Sequence, residues 1–322
     1  MIRFFPKLRF FPDKTDIKFM KGRFAGVGLS ALLSILSVVL FFYPGLNYGI
    51  DFKGGIVIEA RTAEAADFPA IRALLQTQNV GQAGLQQFGS PTDVLIRLER
   101  QPGDDAAQQR AVERVRGALQ QTFPGVQIRR VEAVGASVSE ELFRNGMLAL
   151  GLSMVAMLLY IWFRFEWQFG VGAVATLALD ITKMVGFYVV TDFQFNLVAI
   201  AALLTVMGYS INDKVVVYDR MRENLRKYKS MPLRDLIDLS INETMSRTIG
   251  TSVATFLATL PLALFGGEAL EEFAWCMLFG IILATSSSIF IAAPIVLFLG
   301  EDKLRSGPPP GKAAGAEETP AP

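Results

Sequence analysis

Five ionisable residues stand inside or at the mouth of long apolar runs: Asp180, Lys183, Asp213, Lys214 and Arg247. A charge in hydrocarbon is costly, so such residues face a partner or a water-filled path and mark where ions or protons are handled. Asp180 and Lys183 are i, i+3 neighbours that can neutralise each other on one helical face, which predicts a mainly structural pair. Asp213 lies about four residues inside the end of its run, roughly 6 Å deep at 1.5 Å per residue. Arg247 opens the next run at nearly the same level, so an Asp213–Arg247 pair is geometrically available. A lone carboxylate in hydrocarbon favours its neutral form and a nearby arginine favours the charged form. A carboxylate whose arginine can move away therefore changes protonation, which is what coupling proton or Na⁺ passage to a conformational change requires. The same two residues could serve as a static staple, and spacing leaves both readings open.

Polar groups surround these charges. Gly208 would allow close helix approach, and Ser210 and Asn212 bring a hydroxyl and an amide. Thr248, Thr251, Ser252, Thr255 and Thr259 follow Arg247 and precede Pro261. Such hydroxyls can line an ion path, satisfy freed carbonyls, or simply pack. Lys214 is expected to reach toward the headgroups. Asp219, Arg220, Arg222 and Glu223 read as an interfacial charge cluster. Gly54 and Gly55, shortly after Asp51, do not form a phosphate loop. They suit a tight bend where the chain leaves the membrane and enters a strand.

The residue inventory excludes much chemistry. Histidine is absent, which removes histidine bases, the Ser-His-Asp arrangement, haem ligation by histidine and nearly all zinc or copper sites. Cys276 is the only cysteine and cannot form an internal disulfide. No cofactor or metal is expected. An intramembrane aspartyl protease needs two carboxylates facing each other at one depth. Asp180 sits near mid-run and Asp213 several ångströms nearer the end, so no enzyme is expected. A net charge of +1 gives no global field for nucleic acid.

The elements that must position these residues are mostly membrane spans. The chain has 322 residues, 52% of them hydrophobic and 19% charged, with a mean hydropathy of +0.38. Apolar runs at roughly 24–43, 145–163, 168–190, 196–217, 248–265 and 273–299 are each long enough to cross a bilayer. The first has no small-x-small cleavage site after it and reads as a retained span. Between the first two runs the character changes. Strands are expected at 56–61, 85–88, 94–98 and 126–134, with a turn at Gly89-Ser90-Pro91. Amphipathic helices are expected at 67–78 and 104–122. The order β-α-β-β-α-β predicts a small ferredoxin-like α+β domain. The expected organisation is a cytoplasmic segment 1–23, a transmembrane helix 24–43 and an extracytoplasmic ferredoxin-like domain 44–143. Helices two to six follow over 144–300 with a cytoplasmic amphipathic segment at 219–247, and then a disordered cytoplasmic tail at 301–322.

Orientation follows from positive charge near the span ends. Residues 1–23 and 219–247 each hold seven Lys or Arg, whereas 191–196 and 266–272 hold none. Both termini are therefore expected in the cytoplasm. Within 219–247, Leu233, Leu236, Ile237 and Ile241 share one face after Pro232. That predicts a helix lying along the bilayer or capping the bundle.

Five segments in order resemble the SecF family of the bacterial Sec translocon accessory complex SecDF. They are Tyr48 to Gly55 (YGIDFKGG), Val134 to Leu142 (VGASVSEEL), Arg164 to Trp167 (RFEW), Gly208 to Asn224 (GYSINDKVVVYDRMREN), and Ser246-Arg247-Thr248 with Thr251-Ser252. The resemblance covers about residues 20 to 300, and the GYSIND…DR.REN run is its most specific part. It implies a six-span, RND-like half-transporter with an extracytoplasmic domain after the first span, in the bacterial inner membrane. It implies pairing with SecD and use of the proton or Na⁺ gradient to help draw unfolded exported polypeptides across the membrane. SecYEG, YajC and YidC are the further partners implied. The family's intramembrane aspartate and arginine fall on Asp213 and Arg247, with Asp180, Lys183, Ser210, Asn212 and Thr251 in support and Asp51, Gly54 and Gly55 as a structural motif. Two departures stand out. Ala136 replaces a frequent proline, which loosens the hinge it would stiffen. Leu179 replaces a frequent histidine, which argues against a histidine relay through Asp180. The alternative is an RND-type small-molecule or lipid exporter subunit, which would have a much larger outer domain and both halves in one chain.

Overall fold

The computed structural model describes residues 15–88, 90–103 and 105–300. The basic stretch up to residue 14 and the tail 301–322 lie outside the described residues. The chain divides into two compact units. An α+β unit comprises Leu46–Leu152 and Phe193–Ile200. A helical unit takes the described residues of Met1–Gly45, Ser153–Asp192 and Ala201–Pro322.

In chain order, helix α1 (Arg23–Phe42) precedes a short helix α2 (Ile50–Lys53). Then come β1 (Gly55–Arg61), α3 (Phe68–Thr77), β2 (Ala83–Phe88), β3 (Ser90–Leu98), α4 (Asp105–Thr122) and β4 (Gln127–Val134). The sheet order is β2-β3-β1-β4, with every neighbour antiparallel. This is the split βαβ arrangement of a ferredoxin-like domain. Period-two alternation turns Ile56, Ile58 and Ala60 of β1 and Val94, Ile96 and Leu98 of β3 to one face. There they meet Ile71 and Leu75 of α3 and Ala111, Val115 and Leu119 of α4. Asp67 caps α3 by accepting from the Ala70 N–H at 3.0 Å, ahead of Pro69 in the first turn. β3 starts at Ser90, inside the expected turn, and Gly89 lies outside the described residues.

The remaining helices are α5 (Ala136–Arg164), α6 (Trp167–Thr191), α7 (Leu197–Lys227), α8 (Leu233–Phe265), α9 (Glu268–Ser287) and α10 (Ala293–Gly300). A π-helical turn, Ser288–Ala292, joins the last two into one rod. Among the described residues, six helices are long and apolar enough to cross a membrane. Helix α1 is apolar outside and polar inside. Leu29, Leu32, Ile35 and Leu36 are exposed, while Ser30, Ser34 and Ser37 are buried. Lipid tails are as apolar as leucine, so helices associate through close packing of small residues instead. A methyl group at Gly186 of α6 would collide with Ser37, and one at Gly280 of α9 would collide with Val206 of α7. Gly208, by contrast, has no atom within 4 Å of such a methyl group; the close approaches fall at Gly186 and Gly280.

The expected amphipathic helix is not a separate element. α7 runs on to Lys227, and α8 begins at Leu233 and continues through the fifth span. Backbone hydrogen bonding does not register a membrane boundary, so a charged stretch continues a helix unless something breaks it. The face carrying Leu233, Leu236, Ile237 and Ile241 is buried. Asp238 Oδ1 accepts from the Met20 N–H at 2.8 Å, and Asn242 Oδ1 from the Ile17 N–H at 3.0 Å. The start of α8 thus caps the bundle and holds the segment entering α1.

Candidate functional site

Asp180 of α6 is the centre of a buried polar cluster. Its Oδ1 faces Lys183 Nζ at 3.3 Å, the i, i+3 pair of the same helix. Its Oδ2 takes Lys214 Nζ of α7 at 3.2 Å, Ser210 Oγ at 3.0 Å and Ser287 Oγ at 2.7 Å. Lys183 also donates to Ser30 Oγ of α1 at 3.0 Å. Lys214 donates to Ser210 Oγ and reaches Ser287 Oγ at 3.4 Å. Its exposure is 0%, so it does not reach toward the headgroups as the sequence suggests. A carboxylate within reach outcompetes a distant headgroup once α6 and α7 pack together.

Asp213 lies one residue from Lys214 and is 5% exposed. Ser288 Oγ donates to its Oδ2 at 2.7 Å. The buried Thr248 hydroxyl stands beside it without completing a hydrogen bond. Adjacent serines at the α9–π junction therefore serve the two aspartates, Ser287 to Asp180 and Ser288 to Asp213. The fork falls where α9 gives way to the π turn, a feature often found at working positions. Asp180 Oδ2 takes one ammonium and two hydroxyls, and Oδ1 faces the second ammonium.

The expected Asp213–Arg247 pair is not formed. Thr244, Thr248 and Ser252 lie on the buried face of α8, whereas Arg247 and Thr251 lie on its exposed face. Arg247 makes no ion pair with Asp213 or any other described residue. The Thr251 hydroxyl turns back to the Arg247 and Thr248 carbonyls, both at 3.0 Å. Asn212 is also exposed. Of the expected residues, the fold gathers Asp180, Lys183, Ser210 and Asp213. It leaves Arg247, Asn212 and Thr251 outside. Ser30, Ser287, Ser288 and the inward course of Lys214 are additions. The run Thr285-Ser286-Ser287-Ser288 within an apolar span was the available signal for the two serines.

The DRMREN segment ties helix ends together. Asp219 pairs with Arg164 at 2.9 Å, and Arg222 with Glu166 at 3.4 Å. Arg220 pairs with Glu243 at 2.8 Å, which also accepts from Asn224 at 2.7 Å. In the α+β unit, Asp51 Oδ2 accepts from the Leu197 N–H at 3.0 Å, and Asn196 Oδ1 from the Ala199 N–H at 3.0 Å. Two of the unpartnered donors opening α7 are met in this way. Gly54 and Gly55 have φ of +70° and +133°, and a Cβ on Gly55 would lie 2.7 Å from the Leu98 carbonyl oxygen. Only glycine makes this bend comfortably.

Comparisons with known proteins agree with these motifs. The model of the SecD/SecF GG motif matches residues 39–66. The model of the protein export membrane protein SecD/SecF, C-terminal, matches residues 114–302, more than half of the chain. The protein translocase subunit SecF of Rickettsia bellii is 44% identical over 297 residues, covering 92% of this chain and 97% of that protein. The chain belongs to the SecF family. The SecF subunit of Cereibacter sphaeroides is 41% identical over 317 residues, covering 97% of both chains. A crystal structure of SecDF from Thermus thermophilus, a translocon-associated membrane protein, superposes with a TM-score of 0.80 at 33% identity. It covers 90% of this chain, which spans 39% of the SecDF chain. A second SecDF structure, in a super-membrane-facing form, gives a TM-score of 0.66 at 34% identity over 88% of this chain. As a SecF-family member with six spanning helices, the protein is a multi-pass membrane protein of protein transport.

Proposed function

We propose that this SecF chain, paired with SecD, couples an ion gradient to the export of unfolded polypeptides through the Sec translocon, with SecYEG, YajC and YidC as neighbours. Asp213 is the ion-handling residue. The observation that carries the reading is its setting: a buried carboxylate on a spanning helix, held by one serine hydroxyl and without an ion pair. Asp180 is locked from several sides, whereas Asp213 can gain or lose a proton or cation by rearranging one hydroxyl. One charge crossing 100 mV draws about 2.3 kcal/mol. That biases a two-state equilibrium by a factor of roughly 50.

Arg247 is the arriving counter-ion in this reading. It follows Ser246 and precedes Thr248, the residue beside Asp213, so a turn of α8 about its axis would exchange hydroxyl for guanidinium. The α+β unit faces the outside of the inner membrane and meets the emerging chain, and both termini lie in the cytoplasm, in line with the charge asymmetry of the short loops.

The test is export into inverted membrane vesicles with and without an imposed gradient, at matched SecF and SecD levels. Asp213→Asn keeps size and hydrogen-bonding capacity but not titration, and is expected to abolish the gradient-dependent increment. Full stimulation of this variant would refute the coupling role.

A further inference from the structure

The buried interior holds four formal charges within one small region: Asp180 and Asp213, Lys183 and Lys214. Lys214 lies within Coulombic reach of both aspartates, and Lys183 of Asp180 and Lys214. Among the described residues, no other ionisable side chain comes within ion-pair distance of these four. The groups that face them are uncharged: Ser30 from α1, Ser210 from α7, Thr248 from α8, and Ser287 and Ser288 from the rod of α9 and α10. Asp180 neutralises only one of its two ammonium partners. The surplus positive charge is matched by Asp213, which has no ammonium of its own.

We propose that Asp180, Lys183, Lys214 and Asp213 form one electroneutral quartet, in which Lys183 and Lys214 act as positioning residues that set the charge balance on which Asp213 operates. The inference rests on the coupling reading of Asp213 and deepens it. With Asp213 ionised the quartet sums to zero. Loading Asp213 with a proton or a cation leaves one positive charge uncompensated where solvent is excluded. An unpaired charge in such a place is strongly unfavourable. The contacts joining α6 to α7 and to the Ser287–Ser288 fork are the ones that must then rearrange. Loading would thereby be converted into helix movement by charge balance, without Arg247 having to be present at the start.

Charge balance and hydrogen bonding predict opposite outcomes for a set of variants. Asp180→Asn, Lys183→Met and Lys214→Met each unbalance the quartet by one unit. Asp180→Asn/Lys183→Met and Asp180→Asn/Lys214→Met restore neutrality while removing more polar contacts than any single change. Each would be assayed in the full chain with SecD, in inverted vesicles, for membrane insertion and for the gradient-dependent increment in export. The singles are expected to fall to the level seen without a gradient, or to insert poorly. Both doubles are expected to recover most of the increment. Doubles no better than Asp180→Asn alone would overturn the quartet, as would singles that keep full stimulation. Asp213→Asn in the same vesicles separates the two levels. If it retains stimulation, the coupling reading fails and the quartet fails with it. If it loses stimulation and the doubles are not rescued, the quartet alone fails.

Discussion

Asp180 and Asp213 are chemically identical, yet their surroundings give them different work. Asp180 has two ammonium groups and two hydroxyls on it, drawn from its own helix and from α7 and α9. Asp213 leans on Ser288 alone. Ser288→Ala removes that donor and leaves a buried carboxylate oxygen without its hydrogen bond, at a cost of about 1–3 kcal/mol. It is expected to reduce gradient-stimulated export by a large factor while the chain still inserts and pairs. Thr251→Ala loses only hydrogen bonds to its own helix and is expected to leave export unchanged in the same vesicle assay. Equal losses in the two variants would show that any hydroxyl in this region matters and that the serine fork has no special role.

The α+β unit and its entry motif can be tested at the scale of elements. Residues 47–135 contain the whole ferredoxin-like core and are expected to unfold cooperatively as a soluble fragment. Gly55→Ala places a methyl group against the Leu98 carbonyl at a positive φ. It is expected to lower the stability of that fragment by about 2 kcal/mol in urea unfolding. The Arg61 guanidinium bonds Asp93 at 2.5 and 2.6 Å across β1 and β3, and Ser90 adds a bond at 2.9 Å. The Arg61 hydrogen bond is the main force holding Asp93 at about 2, below the ordinary 3.8. A carboxylate lowered on folding stabilises above its unfolded value. The contribution is therefore complete above about pH 4 and disappears as the pH falls toward about 2. Thermal melts of the fragment should show that loss, and Arg61→Met should flatten it. In the full chain, Asp51→Ala removes the acceptor on the Leu197 N–H, whereas Asp51→Asn keeps one, so only the alanine variant is expected to impair export.

For the whole molecule, the expected arrangement is testable by reporter fusion. A reporter after Gly103 should be active only outside the cytoplasm, and one after Lys229 only inside. A cytoplasmic signal at residue 103 would contradict the orientation drawn from loop charges. The architecture itself was legible in the sequence because its signals are local. A span needs only a run of apolar residues. The ferredoxin-like domain follows from alternation in strands, helical spacing between them, and the order of the six elements. The GG bend follows from glycine alone. The buried charges could also be named from their apolar neighbours. Apart from the i, i+3 Asp180–Lys183 pair, the partners of the two aspartates could not, because they are brought from other helices. Depth counted along separate spans pointed to Arg247, but the rotation of α8 turns Thr248 inward and Arg247 outward. Headgroup reach was expected of Lys214, but the approach of α6 puts a carboxylate against it. Ser287 and Ser288 come to the two aspartates from α9 and the π turn after it, far away in the chain. Local periodicity and composition thus determined which segments span, which fold as a sheet and which residues are costly. Helix rotation and close packing decided which of those residues meet, because they depend on contacts between residues far apart in the chain.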